Sequence, residues 1–181
     1  HIHPQISARM GRLMSQVYRF TEDTPVLILL AYHPEDYPLK HRFMAGERAL
    51  TAVAGLLRQA LKRGASFSFA TSGHCPNPAL GFDEGAGHGE VLLENLGRME
   101  WGTDPSIDWI FEAMDRTKAI PGMTVFYIGP PMNADLVDMF LRYRRRLKDF
   151  VALSVGTSQM AQGRQSLLRS IPLGDYGHVS F

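Results

Sequence analysis

The sequence has a single cysteine, almost no net charge and no long apolar run, and each shortage excludes a class of protein. Its 181 residues include 19 Lys and Arg and 18 Asp and Glu, giving a formal net charge of +1. That balance gives no electrostatic signature of binding to nucleic acid. Because one cysteine cannot form an internal disulfide, the fold does not depend on an oxidising compartment.

The longest apolar run, Val26 to Tyr32, is far shorter than the ~20 residues that a membrane-spanning helix needs. Hydrophobic residues make up 45% and charged residues 20% of the chain, which excludes a disordered or collagen-like protein. The length corresponds to one domain. No signal peptide is visible, and the chain starts at His1 rather than Met, so we expect a fragment or a processed product.

Short apolar segments alternate with stretches of helical periodicity. Residues 26–32, 66–71, 123–128 and 150–155 predict buried strands, and residues 46–63, 90–99, 105–117 and 133–148 predict helices. Gly64 is predicted to cap the end of one helix, and Asp104 and Asn133 the starts of two others. This alternation predicts an α/β fold: a doubly wound, mainly parallel sheet with helices on both faces.

The remaining segments are less regular. Gly11 to Phe20 shows partial alternation, which predicts an N-terminal edge strand. Ser72 to Gly87 is rich in Gly and Pro and predicts a long loop. Gln162 to Arg169 predicts a helix and His178 to Phe181 a final strand. Arg144 to Arg146, the only charge run, is predicted to end a helix on a solvated face.

The first residues carry a short signature. Ile2-His-Pro-Gln-Ile-Ser-Ala-Arg9 and Gly11-Arg-Leu-Met14 resemble the middle of the bacterial domain-of-unknown-function 58 family. There, Arg-x-Ile-His-Trp, Ser-Ala-Arg and a Gly/Arg-Leu strand precede a von Willebrand factor A-like domain. Glu47 to Leu57 and Ala86 to Gly97 resemble later elements in the same order, whereas Pro4 departs from the family's Trp. The resemblance covers roughly residues 1 to 156.

This resemblance implies a signature segment and edge strand over residues 1–24 and a von Willebrand A-like (Rossmann-like) domain over residues 25–181, together one compact domain. It implies a membrane-anchored bacterial parent protein whose membrane helices precede this point. We therefore expect a soluble, cytoplasmic domain that does not insert into the membrane itself. The family is often encoded beside MoxR-type AAA ATPases, so we expect a protein partner, with such an ATPase as a candidate.

The resemblance also implies where a metal would bind. Metal-binding von Willebrand A domains place Asp-x-Ser-x-Ser after the first strand, with a Thr and a further Asp from two other loops, and such oxygen ligands suit Mg²⁺. Here Ala31 occupies the Asp place, and His33 and Glu35 occupy the Ser places. Residues 128–131 supply no Asp, and only Gly102-Thr103-Asp104 resembles the Thr loop. We therefore expect a degenerate metal site with neither a metal nor a cofactor.

Polar residues nonetheless gather where the strands are predicted to end, which is where open α/β sheets bind ligands. These residues form a candidate binding crevice: His33, Glu35, Asp36, Ser72, Thr103, Asp104 and Asn133, with Thr71, His74 and Cys75 beside it. No catalytic signature accompanies them. We therefore favour a non-enzymatic, metal-independent protein-interaction domain.

Two other functions stay open. Glu35, Asp36, Thr103 and Asp104 could form a divergent Mg²⁺-dependent adhesion site. Cys75, next to His74, could be the nucleophile of a small α/β enzyme, although adjacent residues rarely aim both side chains at one point.

The other candidate motifs are weaker. His74, Cys75, His88 and Glu90 match no common zinc spacing. The glycines from Gly81 to Gly89 lack the Lys of a phosphate-binding loop. Trp101 and Trp109 flank the Thr103 loop, and either could anchor a partner. We expect Trp109 to pack in the core and Trp101 to cover a helix end.

Overall fold

Strands and helices alternate along the chain, as the hydrophobic pattern predicts. The computed structural model describes residues 24–37, 39–83, 85–104, 106–116, 122–143, 146–155 and 169–172. Its strands are β1 (Val26–Leu30), β2 (Phe67–Thr71), β3 (Ala79–Asp83), β4 (Met123–Gly129), β5 (Leu147–Ser154) and β6 (Arg169–Pro172). Its helices are α1 (Arg42–Lys62), α2 (Ala86–Gly97), α3 (Asp108–Arg116) and α4 (Ala134–Tyr143).

The six strands form one sheet in the order β3-β2-β1-β4-β5-β6. β1 is central: Val26 pairs with Phe67 of β2 on one side and with Thr124 of β4 on the other. All neighbouring strands are parallel except β2 and β3. The strand order proceeds outward from β1 in both directions, which is the arrangement of a doubly wound fold.

Helices cover both faces of this sheet because successive β1 side chains point to opposite sides. Val26, Ile28 and Leu30 pack in a core cluster with α1 and α2. Leu27 and Leu29 pack in a second cluster with α3 and α4. All five β1 residues are fully buried, so the predicted doubly wound α/β fold is confirmed.

Helix α1 is held by a buried stripe at helical spacing, which includes Ala49, Val53, Leu56 and Ala60. It begins at Arg42 rather than at the predicted Gly46, because a 3-10 turn over Leu39–His41 leads directly into it. At its other end Gly64 adopts a φ of 62°, a left-handed conformation that suits the predicted glycine cap.

The predicted loop from Ser72 to Gly87 is wrong in its second half. Residues 79–83 form β3, which pairs antiparallel with β2 through Ala79 opposite Ala70. α2 then begins at Ala86 rather than at the predicted Glu90. β3 is an edge strand beside β2, has only five residues and contains Gly81. Its apolar pattern in the sequence is therefore too weak to distinguish it from a loop.

The predicted start of α3 is also wrong. Asp104 Oδ1 accepts the Ser106 N–H (2.8 Å), and Ser106 Oγ accepts the Asp108 N–H (3.0 Å). Two turns, each closed by a side chain, therefore precede the helix. α3 begins at Asp108, and Phe111, which was predicted to face inward, is 37% exposed. Asp104 therefore caps a turn rather than α3.

Asn133 caps α4 as predicted, because its Oδ1 accepts the Leu136 N–H at 2.9 Å. The helix ends at Tyr143, however, and not near Lys148. Leu147 and Lys148 open β5 instead. Hydrophobic periodicity alone does not show where α4 ends, because Leu147 fits both the inward face of a longer α4 and the start of β5.

Several predictions lie outside the described residues: the edge strand over 11–20, the helix over 162–168, the strand over 178–181, and Arg144 and Arg145. Arg169, predicted to end a helix, belongs to β6. Among the described residues, no helix has both the length and the apolarity needed to cross a membrane.

Candidate functional site

The carboxyl end of β1 is fixed by hydrogen bonds to two neighbouring loops. The Tyr32 N–H donates to Ser72 Oγ at 2.8 Å, and the Tyr32 carbonyl accepts the Gly102 N–H at 2.9 Å. The Ser72 N–H donates to the Leu30 carbonyl at 3.3 Å. We call Ala31, Tyr32, Ser72 and Gly102 the crevice floor. Ser72, predicted to line a binding crevice, here holds the floor together.

The loops that form the crevice floor approach each other closely. A Cβ atom on Gly102 would overlap the Ser72 carbonyl oxygen, and one on Gly73 would lie 2.5 Å from Met99 Sδ. His74 and Glu100 exchange both backbone hydrogen bonds, at 3.0 and 2.9 Å. The loop after β2 is therefore joined directly to the segment that leads into Gly102.

His33, Glu35 and Asp36 form a tight turn over Pro34–Asp36. The His33 N–H donates to Asp36 Oδ2 and the Glu35 N–H donates to His33 Nδ1, both at 3.2 Å. Burial raises the pKa of Asp36, and the His33 N–H that its carboxylate accepts partly offsets this rise. The His33 and Asp36 side chains therefore stabilise their own loop, while Glu35 is exposed.

Two buried tyrosines lie beneath this turn, and sequence reasoning missed both. The Tyr37 hydroxyl donates to the Ala31 carbonyl at 2.6 Å, and both Tyr37 and Tyr127 are only 2% exposed. Burial raises the pKa of both tyrosines well above the ordinary value, and the charge of Asp36 acts in the same direction. The tyrosines therefore fill the space below Ala31 with neutral, bulky groups.

Trp101 joins the crevice floor to α1. Its ring stacks on Tyr32, with centroids 4.2 Å apart and planes 9° apart, and meets Phe43 edge-on at 6.4 Å. Gly46 of α1 makes room for it, because a Cβ there would lie 2.6 Å from Trp101 Cη2. Trp101 thus packs between the β1 loop and α1 rather than over the end of α2. Trp109 packs against the second core cluster, as predicted.

Three large apolar side chains in and just before the first turn of α1 are exposed, and one of them, Phe43, contacts Trp101. Leu39 is 80%, Phe43 76% and Met44 46% exposed. We call these three residues the apolar ridge. Sequence reasoning missed it because the predicted helix began at Gly46, beyond all three. Neighbouring exposed apolar groups of this size are typical of interaction surfaces.

The other predicted crevice residues have separate roles. Thr103 Oγ1 forms a 3.1 Å hydrogen bond with His74 Nε2, on the exposed surface. Asp104 accepts a backbone N–H in its own turn, and Asn133 caps α4. Most of the predicted side chains therefore make hydrogen bonds within their own loop or cap.

The residues at the implied metal position do not fit Mg²⁺, which requires several oxygen ligands in near-octahedral geometry. Ala31 offers only a methyl group, and His33 Nδ1 already accepts a backbone N–H. The Thr103 hydroxyl is paired with His74. Within the described ranges, no three His, Cys, Asp or Glu side chains come together as metal ligands would.

Cys75 does not have the environment of an activated thiol. Burial raises its pKa, whereas a reactive cysteine needs a lowered pKa. The His74 ring is paired with Thr103. His88, a member of the weak zinc pattern, donates to the Phe67 carbonyl at 3.1 Å. The structure therefore holds His74 and His88 in separate hydrogen bonds.

Comparison of the chain with models of protein families and with curated protein sequences found no match. The resemblance in the N-terminal signature is therefore a hypothesis that depends on those residues and on the order of the elements.

Proposed function

We propose that this domain is a non-enzymatic protein-interaction module that binds its partner, without a metal ion, at the carboxyl end of its sheet. The apolar ridge carries this proposal, because Leu39, Phe43 and Met44 place three large apolar side chains in solvent within six residues. Burying such groups against a partner is the main favourable contribution to most protein–protein association.

Two of the three ridge residues belong to helix α1, and one of these also contacts Trp101. Phe43 and Met44 lie on the first turn of a 21-residue helix whose opposite side is buried in the core. Phe43 also contacts Trp101, which is stacked on the crevice floor. A rigid aromatic anchor loses little conformational entropy on binding, so it suits the centre of an interface.

The crevice floor supports binding rather than catalysis. Its polar groups are satisfied by the backbone, as in the bond from the Tyr32 N–H to Ser72 Oγ. An enzyme site instead needs groups that converge on a reacting atom. A partner would therefore lie over a closed floor and make its apolar contacts with the ridge.

From the N-terminal signature we further propose that the domain is von Willebrand A-like, belongs to a membrane-anchored bacterial protein, and has a MoxR-type AAA ATPase as a candidate partner. The doubly wound sheet centred on β1 is compatible with this proposal. The poor fit of Ala31, His33 and Thr103 to Mg²⁺ supports the metal-independent form.

Affinity capture tests this proposal. The immobilised domain, a Leu39→Ser/Phe43→Ser variant and a Leu93→Ser control are exposed to lysate of the source organism, with Mg²⁺ and ATP or with chelator. Leu93 is the control because it is another exposed large apolar residue, on α2 and outside the ridge, at 45%. We expect one specific protein on the wild type and the control, with or without chelator, and its loss from the ridge variant. Equal retention by the ridge variant, or retention only with Mg²⁺, would contradict the proposal.

A further inference from the structure

Resting on this proposed function, we infer that the segment bound by the apolar ridge is an acidic amphipathic peptide, in which apolar side chains alternate with Asp or Glu. The structure combines two kinds of surface at one place: exposed apolar groups and, among the described residues, positive charge without an ion pair. A partner segment that matches both gains apolar burial and ion pairs together.

The positive charge lies within the ridge itself. Lys40 is exposed and Arg42 is partly exposed, and both stand between Leu39 and Phe43. No acidic residue occurs from position 37 to 46, and the first turn of α1 has none. The start of a helix carries a partial positive charge, which adds to that of the two side chains. Glu47, the first acid on α1, comes one helical turn after Phe43 and Met44, and its charge reaches Tyr32.

Arg42 supplies a second, independent observation. Its Nε is buried and has no hydrogen-bond partner within the part of the chain that the structure describes. A buried N–H of a charged group without an acceptor is unfavourable. A partner carboxylate that draws the guanidinium outward replaces this arrangement with a paired, charge-assisted one. The unpaired Nε of Arg42 in the unbound domain therefore favours a partner that supplies a carboxylate.

An anionic membrane has similar chemistry but fits less well. Segments that bind anionic lipid usually cluster about four to eight cations, whereas residues 39–44 contain one Lys and one Arg. The whole chain has a net charge of only +1. A carboxylate on a peptide can also form a directed pair with Arg42, which a fluid lipid surface does less specifically.

Selection from a random 12-residue peptide library on phage, against the immobilised domain, tests the inference. An enriched peptide is then synthesised with its acids intact or changed to amides, and its affinity is measured by fluorescence anisotropy. We expect acidic, apolar peptides, and about a tenfold or greater loss of affinity on acid-to-amide change or with Lys40→Glu. Lys62→Glu is the matched control, because Lys62 is an exposed lysine at the far end of α1, and we expect little change.

Three outcomes would overturn the inference, and they separate it from the proposed function. Apolar peptides without acids that respond to Phe43→Ser but not to Lys40→Glu would leave a protein-binding ridge and remove the acidic partner. No enrichment, or acidic peptides that respond to neither substitution, would remove the assignment to the ridge. Phe43-dependent sedimentation with phosphatidylcholine/phosphatidylglycerol vesicles, without peptide binding, would assign the ridge to a membrane.

Discussion

The crevice floor and the apolar ridge lie side by side at the carboxyl end of the sheet, yet they are built in opposite ways. The floor is closed by hydrogen bonds from the Tyr32 N–H to Ser72 Oγ and from the Gly102 N–H to the Tyr32 carbonyl. The ridge leaves its apolar side chains in solvent, although Phe43 is only one aromatic contact away from the floor. In this domain, the polar side chains at the strand ends bond within the loops, and the large apolar side chains beside them remain exposed.

The largest loss of stability is expected at Gly102, where the loops of the crevice floor approach most closely. Gly102→Ala places a methyl group against the Ser72 carbonyl, and we expect it to lower the free energy of unfolding by about 3 kcal/mol. Gly97→Ala is the control, because a Cβ there meets nothing within 4 Å. Urea unfolding measures both, and a Gly102→Ala variant as stable as the control would mean that the two loops are not packed together.

Ser72→Ala is expected to have the next largest effect. It removes the acceptor of the Tyr32 N–H, and leaving that group unsatisfied costs about 1–2 kcal/mol. Thr51→Ala removes an exposed hydroxyl that donates to the Glu47 carbonyl, and we expect almost no change. Equal losses for the two variants in urea unfolding would contradict a structural role for Ser72.

At the apolar ridge, we expect a substitution to weaken binding strongly while it changes the stability of the fold very little. Phe43→Ser removes an exposed side chain, so we expect it to cost less than about 1 kcal/mol of stability. We expect the same substitution to weaken partner or peptide binding about tenfold or more. Urea unfolding and anisotropy measure the two effects, with Leu93→Ser as the control for both. A loss of stability as large as that of Gly102→Ala would make the ridge part of the core.

The smallest expected effect is a pH dependence of the folded state's stability, caused by Asp36 in the turn after β1. Because burial raises the folded-state pKa of Asp36, folding favours its neutral form. As the pH rises through the unfolded and then the folded pKa, the carboxyl ionises and the folded state loses stability. Asp36→Asn keeps an acceptor for the His33 N–H, so we expect a higher thermal midpoint than wild type at pH 7 and no gain near pH 3. A gain of equal size at both pH values would contradict this account.

The central fold follows from the sequence because its strongest signals are local. The run at Val26 is apolar throughout and the run at Met123 is apolar except for Thr124, which suits strands buried on both faces. Weak or ambiguous local signals account for the failures. β3 is short and includes Gly81, and Leu147 fits both an inward helix position and a strand. Their places are decided by pairing with β2 and β4, which depends on distant residues.

The candidate site is less predictable for the same reason. The rule that ligands bind at strand ends locates the loops, but it does not reveal how their side chains are used. Ser72 and Asp36 have groups equally able to bind a ligand or a nearby N–H, and here they bind the N–H. The contact of Trp101 with Tyr32 and Phe43 joins three separate segments, so no local pattern reveals it.

Photo-crosslinking from the ridge tests the central claim most directly. A photoreactive phenylalanine analogue replaces Phe43 in the protein expressed in its source organism, and the same analogue at Leu93 is the control. The account predicts a specific protein adduct from position 43, formed equally after Mg²⁺ is chelated in permeabilised cells, and none from position 93. The same adducts from both positions, none from position 43, or an adduct that requires Mg²⁺ would contradict a metal-independent interaction through the apolar ridge.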